Sequence, residues 1–163
     1  MPVVDAFTVL KYANQSARIF GLDVSGKMRL AETRFGLFGL EGKLGYVDGE
    51  NTRTGDGLYQ LMPLNTRIAL TQRSDAWDNA LELVAVDNKD SVSRVRNEIE
   101  TAGYGLLNLR FARQWERVRV DVGVENLLDR LHALPTGGAY VGQGTTMANP
   151  PLPNYPQWGT AVP

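Results

Sequence analysis

Alternation of apolar and polar positions with a period of two dominates the chain. In Ala17–Leu30, the residues Phe20, Leu22, Val24, Met28 and Leu30 fall on one face, with Gly21, Asp23, Ser25, Lys27 and Arg29 on the other. That period belongs to a strand that is apolar on one side and polar on the other. A strand of about 14 residues extends roughly 45 Å at the usual rise. Globular strands are mostly five or six residues long. The length suits a tilted membrane strand that continues past the bilayer.

Similar segments fill most of the remaining chain. Asp5–Tyr12 reads as a strand pairing with the first across Asn14-Gln15-Ser16, and Ala31-Glu32-Thr33 reads as a turn. In Arg34–Val47, Phe38, Leu40, Leu44 and Tyr46 oppose Glu41 and Lys43. In Leu64–Arg73, Leu64, Thr66, Ile68 and Leu70 oppose Asn65, Arg67 and Thr71. Trp77–Val86 alternates less cleanly, with Leu81, Leu83 and Ala85 against Glu82 and Val84. Tyr104–Arg113 sets Leu107, Leu109 and Phe111 against Asn108 and Arg110. In Val118–Val124, four valines alternate with Arg119, Asp121 and Gly123. The expectation is an all-β chain, an antiparallel meander of about seven long strands.

The connections carry their own pattern. Short turns near Ala31, Ser74 and Gln114 alternate with long polar stretches, Asp48–Gly57 and Asp87–Thr101, and Asp129 onward is Gly- and Pro-rich loop. Outer-membrane barrels segregate their connections this way, with short periplasmic turns and long extracellular loops. A soluble sandwich has no reason to do so. Aromatics at strand ends (Tyr46, Trp77, Tyr104, Trp115) fit interfacial girdles, although cores use aromatics too.

Composition mostly excludes. At 163 residues the chain is long enough for one domain, and a net charge of -1 argues against nucleic acid as a partner. The absence of cysteine removes thiolate metal sites, cysteine nucleophiles and disulfides. No apolar run is long enough for a transmembrane helix, and no signal peptide is visible. A mean hydropathy of -0.24 does not separate a soluble protein from a barrel, whose strands alternate lipid-facing and lumen-facing residues.

Candidate chemistry is sparse. His132 is the only histidine, so no histidine pair exists to bind metal or relay protons. It reads as loop surface. Met62 and Met147 are the right type for soft copper(I) ligands, but read better as apolar filler. Asp48, Glu50 and Asp56 lack the spacing of a calcium loop. No nucleophile–base set or phosphate loop emerges, so neither an enzyme nor a cofactor is expected. Asp23, Lys27, Arg29, Glu41, Lys43, Arg67, Glu82, Arg110, Arg119 and Asp121 are expected to line a barrel lumen. On a soluble sheet they form the solvated face.

Three segments carry a resemblance. Val122-Gly123-Val124-Glu125-Asn126-Leu127-Leu128-Asp129-Arg130 resembles the penultimate barrel strand of TonB-dependent receptors and its exit. Gly57–Asn65 resembles the loop end where these receptors place a proline before a descending strand, and Gly103–Arg110 resembles the strand two before the last. The Gly-rich loop Gly137–Met147 resembles, more faintly, receptors of the copper-uptake branch. The resemblance implies that 1–163 is the C-terminal part of a larger barrel, with 130–163 a long loop, the plug domain and the last strand being missing. It implies the outer membrane of a Gram-negative bacterium and TonB-driven uptake of a scarce solute of siderophore, copper or cobalamin type. The implied partners are outer-membrane lipid, the plug and remaining strands, the TonB complex through the full-length protein, and a small-molecule or metal-chelate ligand. The alternative is a soluble or secreted β-sheet domain that binds a partner through its loops. In that case the apolar faces must converge on one core instead of forming an outward belt.

Overall fold

Six of the alternating segments form one antiparallel sheet in which each strand hydrogen-bonds to the next in sequence. The computed structural model describes residues 14–96, 98–137 and 161–162. The strands are β1 (Ala17–Thr33), β2 (Gly36–Asn51), β3 (Asn65–Arg73), β4 (Trp77–Val86), β5 (Tyr104–Gln114) and β6 (Arg119–Val124). The expected strand Asp5–Tyr12 lies outside the described residues. The chain is all-β, with one 3-10 turn among the described residues, at Arg94–Arg96.

Register turns six separate alternations into two continuous faces. One apolar row runs Met28, Leu40, Leu70, Leu81, Leu109 and Val124, each directly opposite the next across all six strands. One residue away, on the opposite face, Lys27, Glu41, Ala69, Glu82 and Asn108 form the matching row. A slip of one residue in any pair would turn that strand's charged side chains toward the apolar face, so the side-chain pattern fixes the register.

The apolar face is uncovered. Among the described residues only Val86, Ala112 and Pro135 are buried apolar side chains, while Leu22, Leu70, Leu83, Val122 and many others stand exposed. The strands also have different lengths. β1 and β2 extend beyond β3 at the long-loop end, where Val47–Asn51 pair with Ala17–Gly21 on one side and Glu50 bridges to Gly57 of the following loop on the other.

Three sequence expectations shift here. Ala31, Glu32 and Thr33 belong to β1 and do not turn, because the chain absorbs an extra residue at Leu30, which leaves it unpaired between Arg29 and Ala31. The turn falls at Arg34-Phe35. Thr33 Oγ1 accepts a hydrogen bond from the Phe35 amide there, and Gly36 takes a φ of 115°, a conformation that suits glycine. Asp48–Asn51, expected as loop, are the end of β2, since Ala17–Phe20 satisfy their backbone. Within the expected 130–163 loop, β7 (His132–Ala133) pairs with β8 (Ala161–Val162).

Candidate functional site

The polar face is held together by charge alternation across strands. Lys27 Nζ lies 3.2 Å from Glu41, Glu41 lies 3.6 Å from Arg73, and Arg73 lies 3.6 Å from Asp78. Arg119 then reaches Asp78 at 3.3 Å and Asp121 at 2.9 Å, and Arg110 reaches Asp121 at 3.3 Å. These seven side chains touch every strand of the sheet and lie toward its short-turn end. A second group sits nearer mid-strand. Arg67 lies 3.4 Å from Glu82, which also accepts a hydrogen bond from Asn108 Nδ2 at 3.0 Å.

Each expected lumen-lining residue lies on this face. Lys27, Glu41, Arg67, Glu82, Arg110, Arg119 and Asp121 join the two networks; Asp23, Arg29 and Lys43 share the face at other register positions. Arg73 and Asp78 were not singled out from the sequence. They stand beside the Ser74-Asp75 turn, where charge reads as ordinary turn polarity, and only the pairing of β3 with β4 makes them links between neighbours.

At the opposite end the two long loops form one packed unit. Lys89 and Glu98 make a 2.7 Å ion pair with side chains only 1% and 3% exposed. Every strong demand of that pair is met across the loops. Lys89 Nζ also donates to the Leu61 carbonyl at 2.9 Å, and Glu98 accepts from the Gln60 and Ser93 amides, each at 2.9 Å. Asp56 accepts from the Arg94 and Val95 amides at 3.2 and 3.3 Å, so the first loop caps the 3-10 turn of the second. Gly57 sits so close to the second loop that a Cβ there would lie 2.8 Å from the Val92 carbonyl oxygen.

This loop unit leans over the polar face. A Cβ at Gly49, on that face, would meet Leu61 and Leu58 side chains at 2.9 and 3.0 Å, and Ile19 at 3.2 Å. Small clefts remain beside it: one of about 200 Å³ lined by residues including Asp48, Asp87 and Lys89, and one of about 190 Å³ between Asp56 and Arg94. Glu50 is taken up by Arg18 at 2.7 Å, so Asp48, Glu50 and Asp56 do not act together. No three metal-ligating His, Asp or Glu residues converge among the described residues. Met62 is partly buried and Met147 lies outside the described residues. His132 is not plain loop surface: its ring packs against Tyr104 at 4.3 Å between centroids.

The Gly123–Asp129 segment is the sharp exit from β6. Asn126 has a φ of 51° and Asp129 one of 49°. The Asn126 amide donates to Asn108 Oδ1 at 2.9 Å, while its side chain accepts from the Arg130 amide at 2.9 Å and donates to the Arg130 carbonyl at 3.1 Å. The Leu127 amide donates to the Leu107 carbonyl at 2.7 Å, which ties the exit to β5.

No family model matches the chain, and no curated protein matches its sequence. Among solved structures it is similar to the copper transporter OprC, with a TM-score of 0.69 and 24% identity over 77% of this chain and 20% of that one. The chain therefore spans about a fifth of the length of that transporter. The likeness is one of fold: six antiparallel strands arranged as a segment of a β-barrel.

Proposed function

We propose that the chain forms wall and mouth of an outer-membrane barrel that imports a scarce solute, a metal ion or metal chelate, driven by TonB. The observation that carries this reading is the two-faced sheet. Apolar side chains of all six strands stand outward with no core to join, and the other face is bridged by charge. Water would oppose the first face and hydrocarbon the second, whereas a membrane barrel with a wet lumen satisfies both. The paired length of nine to eleven residues in β3–β5 agrees with a membrane strand.

The loop unit at one end supplies the mouth, leaning over the polar face as a gate for small solutes would. A metal as cargo is supported by the fold shared with a protein named as a copper transporter; nothing in the loop clefts selects one metal. The barrel performs no catalysis in this reading.

The test has two arms. Expressed in a Gram-negative host, the full-length protein should fractionate with the outer membrane and resist extraction without detergent. Cells carrying it should accumulate radiolabelled metal or chelate, and disruption of TonB should abolish that accumulation. Recovery of a folded monomer in plain buffer would overturn the barrel assignment. Uptake unchanged without TonB would overturn the energy source alone.

A further inference from the structure

Across β4–β6 the apolar face carries one cation where none is expected. Arg113, near the end of β5, points to the same side as Leu107, Leu109 and Phe111, and its register partners are Trp77 on β4 and Val120 on β6. Its guanidinium lies 4.8 Å from the Trp77 ring and 4.9 Å from the Trp115 ring, a sandwich between two half-exposed indoles. Every other outward position of β4–β6 is uncharged. Among the described residues Arg113 has no carboxylate within ion-pair distance, although the polar face a residue away is full of them.

We propose that Arg113, held between Trp77 and Trp115, takes the phosphate of an anionic phospholipid headgroup; the proposal rests on the membrane-barrel reading. The chemistry follows from where the group stands. An arginine remains charged at any accessible pH, and facing hydrocarbon alone it is costly. Trp77 opens β4 and Trp115 follows β5 directly, so both indoles stand at the short-turn rim, at the depth where tryptophan prefers the headgroup layer. The rings fix the guanidinium plane by cation–π contact without neutralising it. Its donor fork is left free for an anion that reaches the lipid side of the wall, and a phosphodiester matches that fork. Arg34, 4.6 Å over the Phe35 ring in the β1–β2 turn, repeats the arrangement along the same rim. A protein partner is disfavoured because the surrounding face is the one given to lipid.

The test reads tryptophan quenching in the full-length protein, reconstituted in phosphatidylcholine vesicles doped with brominated phosphatidylglycerol or brominated phosphatidylcholine. The anionic lipid is expected to quench at roughly fivefold lower mole fraction, the preference one interfacial arginine supplies. R113Q should bring the two curves close together while quenching by brominated phosphatidylcholine stays unchanged, and R113K should keep part of the preference. Equal curves for the unsubstituted protein overturn the proposal. So does loss of the preference on adding inorganic phosphate, which would assign the site to free phosphate. If neither brominated lipid quenches, the barrel reading falls and the lipid site with it.

Discussion

Asn126 combines a left-handed backbone with three hydrogen bonds, and few residues tolerate both demands. Its φ of 51° costs most side chains about 1 kcal/mol or more, whereas asparagine is among the exceptions. Its amide side chain brackets Arg130 on both carbonyl and amide groups. Asn126→Ala is expected to destabilise the barrel by about 1–2 kcal/mol in denaturant unfolding from lipid vesicles, through lost hydrogen bonds and backbone strain together. Asn126→Gly removes only the hydrogen bonds and should cost less. If glycine proved as costly as alanine, the side-chain bracket alone would account for the residue. The sequence showed this position as part of a family-like segment but not its role, because positive φ leaves no periodic trace. The same applies to Lys89 and Glu98. Two opposite charges nine positions apart in a polar stretch look solvated until a second loop closes over them.

Elements differ in how much of them a pattern of residues can reveal. β4 matched its expected limits from Trp77 to Val86 because turns bound it on one side and a polar loop on the other. β1 and β2 ran longer than their clean alternation, since mutual pairing satisfies backbone groups whatever the side chains are, and a bulge at Leu30 absorbed the misfit. The facing of β6 is the sharpest element-level expectation. Val122 stands on the apolar face and is 57% exposed, so Val122→Arg should destabilise the barrel by about 2–4 kcal/mol near the midplane. Asp121→Asn should be far milder if, as proposed, that face lines a wet lumen that solvates either side chain. Urea unfolding in vesicles compares the two, and the reverse order would invert the wall. The loop unit makes a different prediction. Lys89→Met alone leaves Glu98 charged and buried, and should open the loops at a cost of about 3–5 kcal/mol, seen as faster hydrogen exchange at the Gln60 and Ser93 amides. Pairing it with Glu98→Leu removes the orphaned charge and should restore much of the protection. A double variant as labile as the single one would mean that the hydrogen bonds to both loops, and not the charge pair, hold the unit.

At the scale of the molecule, the connections divide the sheet into two unlike ends, and on the proposed barrel reading that division sets its direction in the membrane. The short-turn end holds Arg34-Phe35, the Ser74–Ala76 turn and the Trp115–Val118 turn, closed by local hydrogen bonds such as Ser74 N to Trp77 O at 2.8 Å and Trp77 N to Ser74 Oγ at 3.1 Å. The other end holds the locked loops and the exit at Asn126. Turns this tight have no spare chain with which to contact a solute, whereas the loop unit has its own buried ion pair, is hydrogen-bonded to the end of β2 and leans over the polar face. If the sheet is the wall of an importing barrel, as proposed, selection of cargo belongs to the loop end, and that end should face the outside of the cell. Short peptide tags inserted at Thr54-Gly55 and at Ser74-Asp75 of the full-length protein test the direction. Thr54 and Gly55 are exposed and lie away from the Lys89–Glu98 pair, so the insertion should leave the loops docked. Antibody applied to intact cells is expected to label the first tag and not the second, and permeabilising the outer membrane should expose both. Labelling confined to the Ser74 tag would turn the barrel over. The loop unit would then face the periplasm, and its closed clefts would have to be explained by what leaves the barrel, not by what enters it.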